Sequence, residues 1–297
     1  MLKFSLANMK KIKVNGNTRT YDAQIPFEVD PELKYPLIIA LHGLAGNAKT
    51  IEYVSQLTKL AERRKFIIVY PNGYGRPDRY FYSWNTGFCC GTAYEDKSND
   101  FKFIKLLIRS LYESYPINKD QIFVTGISNG AMMTYAIGAE LNGIIKGIAP
   151  IAGTIGGQLD SSSDINIIST PRSPLSVIII HGLKDKNVPF NGGYGKNNQA
   201  FSFLPVGEAV KFWVQANNCS STPKTEFLNE KTVIKEIYSG GTNGSQVVLY
   251  KIVEGSHSWP GGKKTLGSDG IPCSKEICNA SEIILDFFAQ IVHNDIK

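Results

Sequence analysis

The sequence predicts an α/β fold: a mostly parallel central sheet flanked by helices on both faces. Continuous apolar runs at residues 36–41 and 66–70 read as strands buried on both sides. Helix-periodic segments alternate with such runs along most of the chain. The length of 297 residues, 42% hydrophobic and 20% charged, suits one globular domain with a substantial core. No linker, repeat or low-complexity block divides residues 1–297, so a single domain is expected.

Residues 9–14 and 18–25 alternate as strands around Asn15-Gly16-Asn17, a strong hairpin signal. This hairpin, within residues 1–30, is expected to join the sheet. A polar link leads to the buried strand 36–41, which ends in His42-Gly43-Leu44-Ala45-Gly46-Asn47. Residues 48–64 have helical spacing, with Ile51, Val54, Leu57, Leu60 and Ala61 on one face. Strand 66–70 stops at Pro71-Asn72-Gly73, and an irregular aromatic-rich loop covers residues 73–92. Ser98-Asn99-Asp100 offers an N-cap for a helix to about Tyr115.

Further strands are expected near residues 121–124, 144–151, 175–180, 233–238 and 246–253. Helices are expected at 131–141, 206–218 and 279–292. Residues 156–173 read as a polar excursion over the surface.

Composition excludes several classes of function. The net charge of +6 is spread without a long basic run or a nucleic-acid motif, so no nucleic-acid partner is expected. No apolar run reaches the length of a membrane span. The N-terminal apolar stretch is too short for a signal peptide. The chain is therefore cytoplasmic if Met1 is its native start, or secreted or in the cell envelope if an upstream signal has been removed.

The five cysteines do not pair by inspection. Adjacent Cys89 and Cys90 are poorly placed to bond each other, whereas Cys273 and Cys278 enclose a short loop that suits a disulfide. No Cys/His spacing resembles a zinc site, and neither metal nor organic cofactor is expected.

The chemistry centres on Gly126-Ile127-Ser128-Asn129-Gly130, between an apolar strand and a helix-compatible run. That is the context of a nucleophile elbow, with Ser128 on a strained turn. A serine hydroxyl needs a base, and the base needs a carboxylate that fixes its tautomer. Of the four histidines, His42 and His181 end buried strands and His293 lies in the terminal helix. His257, in a Gly- and Pro-rich loop after a strand, remains as base. Asp185, three residues past the strand-ending Gly182, is the candidate acid. The order Ser, Asp, His is the one this type of elbow uses. The oxyanion donors are expected to be the backbone N–H groups of Asn129 and Leu44, with Ala45 as second choice. His42 is expected to brace that loop.

With these residues in place, the chain resembles the esterase family of polyhydroxybutyrate depolymerases, feruloyl esterases and acetyl xylan esterases, of the α/β-hydrolase fold. The matching pieces include Leu41-His42-Gly43, Val69-Tyr70-Pro71-Asn72-Gly73, Trp84-Asn85 and Cys89-Cys90-Gly91. Gly126 to Met132, His181-Gly182 with Asp185, and His257-Ser258-Trp259-Pro260-Gly261-Gly262 complete them. The resemblance implies Ser128 as nucleophile, Asp185 as acid and His257 as base. It also implies that the Trp84 and Trp259 regions border the substrate pocket. Tyr82, Trp84, Phe190 and Trp259 would then line an aromatic site for an ester, polymeric or aromatic. Asn99-Asp100 stands where the family tends to carry paired acids, and no cysteine near residues 239–241 faces Cys219 in sequence. A serine peptidase of the same fold and a non-catalytic polymer-binding protein are the competing readings.

Overall fold

The computed structural model describes all residues except 1–8, 26–27, 31, 76–80, 159–161, 197, 265–273, 275–277 and 295–297. A hairpin, β1 (Lys10–Val14) and β2 (Asn17–Gln24), is followed by β3 (Tyr35–Leu41), α1 (Ala48–Ser55), α2 (Leu57–Arg64) and β4 (Ile67–Pro71). Next come α3 (Gly91–Glu95), α4 (Asp100–Ser114), β5 (Ile117–Ile127), α5 (Asn129–Glu140) and β6 (Gly147–Ile151). The second half holds β7 (Gly156–Gln158), β8 (Asn166–Ile167), β9 (Ser176–Gly182), β10 (Gly193–Gly195), β11 (Asn198–Phe203) and α6 (Val206–Ala216). It closes with β12 (Lys224–Leu228), β13 (Val233–Tyr238), β14 (Val247–Ile252) and α7 (Ala280–Asn294).

The main sheet runs β1-β2-β4-β3-β5-β6-β9-β14-β13-β12. The six strands from β4 to β14 in that order pair in parallel. The hairpin extends one edge through antiparallel pairing of β2 with β4, and β13 and β12 extend the other. Asn15 and Gly16 both take positive φ, the backbone a two-residue hairpin link requires.

The two-residue side-chain period divides β3 between two cores. Leu37, Ile39 and Leu41 pack with residues of α4, α5 and α6, including Leu107, Met133 and Trp213. Ile38 and Ala40 face the other way, onto α1, α2 and α7, with Ile51, Leu60 and Phe288. A strand buried on both faces is an unbroken apolar run for this reason. Each fully buried Leu or Ile contributes about 1.5–3 kcal/mol of transfer free energy.

The structure departs from the sequence expectations in several places, and α3, β10, β11 and β12 are elements that the sequence does not announce. The helix expected over residues 48–64 is two helices, broken at Gln56, which takes φ 58° and donates its N–H to the Glu52 carbonyl. The buried Ser55 hydroxyl then accepts the Leu57 N–H as α2 begins. The polar excursion contributes β7 and β8 to a small second sheet, ordered β10-β11-β7-β8. Strands of two or three residues carry no readable period. Cys89 and Cys90, expected to be poorly placed to bond each other, are joined in a disulfide across a cis peptide. A bridge between Cys273 and Cys278, which the short loop between them allows, is not described, because Cys273 lies outside the described residues.

Candidate active site

The parallel strands bring their C-terminal ends to one edge, where the loops after β3, β5, β9 and β14 meet. Ser128 links β5 to α5 with φ 58° and ψ −122°. Such a conformation costs on the order of 1–3 kcal/mol in a non-glycine residue. It is held by the Ser128 N–H, which donates to the Ile151 carbonyl at 3.0 Å, and by the Ser128 carbonyl, which accepts from Met132 at 3.0 Å. The turn is tight enough to require both flanking glycines. A Cβ on Gly126 would meet the Gly130 carbonyl oxygen at 2.6 Å, and one on Gly130 the Leu41 carbonyl oxygen at 2.5 Å.

The loop after β9 carries Asp185. Asp185 Oδ1 accepts the backbone N–H groups of Asn187 and Val188, each at 2.9 Å. Oδ2 lies 2.8 Å from His257 Nδ1. Burial alone would raise the Asp185 pKa. Hydrogen bonds and charge from His181 and His257 outweigh it and hold the carboxyl well below the usual carboxylate range. The ionised Asp185 therefore fixes the His257 proton on Nδ1 and leaves Nε2 as the basic nitrogen.

The loops that carry Asp185 and His257 are bound to each other. Leu183 N–H donates to the Ile252 carbonyl and Lys184 N–H to the Gly255 carbonyl, both at 2.9 Å. Trp259 Nε1 donates to Ser281 Oγ at 2.9 Å, and that hydroxyl donates to the Ser55 carbonyl at 2.6 Å. The His257 loop is thus anchored to α7 and α1.

A cavity of about 110 Å³ opens at this edge. Ser128 and His257 both line it, with Leu44, Ile51, Val54, Ile127 and Trp259 supplying most of the apolar wall. Ile51 and Val54 read in sequence only as the core face of α1, a periodicity that does not distinguish a core contact from a cavity wall.

The loop after β3 packs beside Ser128. Ala45 N–H donates to the Tyr82 carbonyl at 2.9 Å, which takes the second-choice oxyanion donor out of contention. Leu44 stays at the cavity wall. Asn129 begins α5, where the first N–H groups of a helix have no partner within it.

His42 lies under the loop. Its Nδ1 is 2.7 Å from the Gly43 carbonyl and its Nε2 accepts the Gly73 N–H at 2.9 Å. This assigns the proton to Nδ1. Burial, opposed by the Gly43 contact and aided by the Arg19 charge, pushes its pKa down to about 4.

The four aromatic residues expected at the pocket are placed differently from one another. Trp259 lines the cavity. Trp84 is fully buried, and its ring lies 5.1 Å from that of His42. It sits beneath the loop after β3, away from the cavity wall, with its backbone clamped by the Asn129 side chain. Tyr82 contacts the same loop through its carbonyl. Phe190 packs edge-on to His181 at 5.8 Å.

His181 is a partner of Asp185 that sequence reasoning missed. Its Nε2 lies 2.9 Å from the Val188 carbonyl and 3.4 Å from Asp185 Oδ2. The four-residue spacing was the available signal, but it acts here through a turn and not along a helix. Among the described residues, no group of three or more His, Cys, Asp or Glu side chains is placed to hold a metal ion. No described helix is long and apolar enough to cross a membrane.

A family model described as phospholipase/carboxylesterase matches residues 29–222. Feruloyl esterase B of Piromyces equi is 26% identical over 230 residues, which cover 77% of this chain and 40% of that protein. Probable feruloyl esterase C of Aspergillus clavatus is 27% identical over 273 residues, 86% of each chain. Among solved structures, an acetyl xylan esterase from Aspergillus awamori aligns with a TM-score of 0.58 at 15% identity, covering 84% of this chain and 94% of that one. That likeness speaks for the fold alone. The expected fold is therefore the observed one, an α/β-hydrolase fold.

Proposed function

The chain belongs to the phospholipase/carboxylesterase family, and from that premise we propose that it hydrolyses carboxylic esters through Ser128, His257 and Asp185. The observation that carries this reading is the Asp185–His257 hydrogen bond at 2.8 Å, with His257 and the strained Ser128 on the wall of one cavity.

In this reading, His257 Nε2 takes the Ser128 proton as Oγ attacks the ester carbonyl. The oxyanion receives hydrogen bonds from the Leu44 and Asn129 N–H groups. His257 then protonates the leaving alkoxide, and an acyl-enzyme remains on Ser128. Water, deprotonated by the same imidazole, releases the acid and restores the serine. Asp185 stays ionised throughout, as its depressed pKa requires.

The substrate class we propose is a polymer-linked or aromatic ester. Feruloyl or acetyl esters of plant polysaccharide fit, as does a polyester such as polyhydroxybutyrate. The names of the relatives support feruloyl esters. The apolar wall of Leu44, Ile51, Val54 and Trp259 supports an apolar arm on the ester. The test is one activity panel on a single preparation: p-nitrophenyl acetate, methyl ferulate, acetylated xylan, polyhydroxybutyrate and a peptide amide. Hydrolysis of at least one ester with the amide untouched is expected. No turnover of any ester would contradict the reading.

A further inference from the structure

The two proposed oxyanion donors come from different segments, Leu44 after β3 and Asn129 at the start of α5. A hole made of two such pieces works only if their separation is held to a fraction of an ångström. We propose that Trp84 is the positioning residue that fixes this separation, acting with the Asn129 side chain. The proposal rests on the hydrolase reading above and assigns Trp84 no contact with substrate.

The geometry forms a continuous buried tie. The Asn129 carboxamide closes on the Trp84 backbone from both sides: Oδ1 accepts the Trp84 N–H at 2.7 Å and Nδ2 donates to the Trp84 carbonyl at 3.0 Å. From the same residue, the indole Nε1 donates to the His42 carbonyl at 2.9 Å, two residues before Leu44. Trp84 thus grips the nucleophile turn with its backbone and the oxyanion loop with its side chain. The loop is held a second time by the Ala45 N–H on the Tyr82 carbonyl, two residues before Trp84. His42 completes the brace through Gly43 and Gly73.

Trp84, Asn129 and His42 are each at most 1% exposed, so water does not compete for these bonds. A phenylalanine at 84 would keep an aromatic ring beside His42, lose the indole donor and so leave the His42 carbonyl without that partner, and vacate part of the buried indole volume.

The test measures kcat and KM for p-nitrophenyl acetate, and inhibition by phenylboronic acid, for the native protein and Trp84→Phe. Boron bound to Ser128 Oγ becomes tetrahedral and presents an oxygen to the oxyanion donors, so its affinity reads the hole directly. The expected result is a kcat lowered roughly 10- to 100-fold with KM changed less than about twofold. Phenylboronic acid should weaken by the same factor as kcat.

Native kcat and boronate affinity in Trp84→Phe would overturn the proposal, as would a parallel loss in KM and kcat. Asn129→Asp gives an independent second reading. Its carboxylate keeps the acceptor for the Trp84 N–H but turns an oxygen toward the Trp84 carbonyl. The same kcat-selective loss is expected there, and a native kcat would overturn the proposal even if Trp84→Phe proves insoluble. Inactivity of the native protein toward every ester would remove the hydrolase reading and this one with it. An active native protein with an unaffected Trp84→Phe would remove this one alone.

Discussion

His257 Nδ1 stands 2.8 Å from Asp185 Oδ2, while the other carboxylate oxygen is held by two backbone N–H groups of its own loop. The carboxylate is therefore aimed by its own loop as well as by the histidine, and its charge is maintained by donors on both oxygens.

Replacing Asp185 with Asn tests that relationship. The amide has no charge to favour a proton on His257 Nδ1, so the imidazole loses its fixed tautomer. Asp185→Asn is expected to lower kcat on the order of 10³- to 10⁴-fold with an unchanged circular dichroism spectrum. Steady-state kinetics on p-nitrophenyl acetate checks this, and a loss below tenfold would contradict the assigned role.

His42 makes a prediction about stability. Its pKa is about 4 in the folded protein, against an ordinary value of 6.5. Between those values the unfolded chain binds more protons than the folded one, so stability falls as the pH drops through that window. The change amounts to roughly 3 kcal/mol across the window. Urea unfolding at pH 7.5, 6, 5 and 4 measures it, and His42→Gln should flatten the slope between pH 6.5 and 4. An unchanged slope in the variant would refute the assignment of the neutral, buried imidazole.

A buried ion pair ties the hairpin to α4. Arg19 Nη2 lies 2.7 Å from Asp100 Oδ1, with both side chains almost wholly buried. Asp100 Oδ2 accepts the Asn85 N–H and the Ser98 hydroxyl, and the guanidinium lies 4.1 Å from the Phe103 ring. Arg19→Met leaves a carboxylate buried without its cation, and a loss of about 3–5 kcal/mol in urea unfolding is expected. The residue after Trp84 is anchored by Asp100, so activity should fall with stability. A loss under about 1 kcal/mol would show that the pair is replaceable by packing alone.

Much of this architecture is legible in the sequence because it depends on local chemistry. Buried parallel strands must be unbroken apolar runs, and the backbone approach at Gly126 and Gly130 admits no side chain. Ser128 and His257, which share the cavity wall, are reached from strand-end position and from having few histidines to choose among. What escapes the sequence depends on tertiary contact. Strand β8 has two residues and exists only against β7. Gln56 breaks a helix whose apolar period continues across it. Trp84 reads as a pocket aromatic because an aromatic-rich loop does not reveal which residue the Asn129 carboxamide holds under the loop after β3. His181 reads as a strand end because nothing local shows Asp185 folding back onto it.

The central claim is that Ser128 is the nucleophile. Turnover of p-nitrophenyl acetate by Ser128→Ala, compared with the native protein at equal folded concentration by circular dichroism, tests it most directly. The expected result is a rate indistinguishable from buffer with an unchanged spectrum. Near-native turnover by the variant would contradict the account.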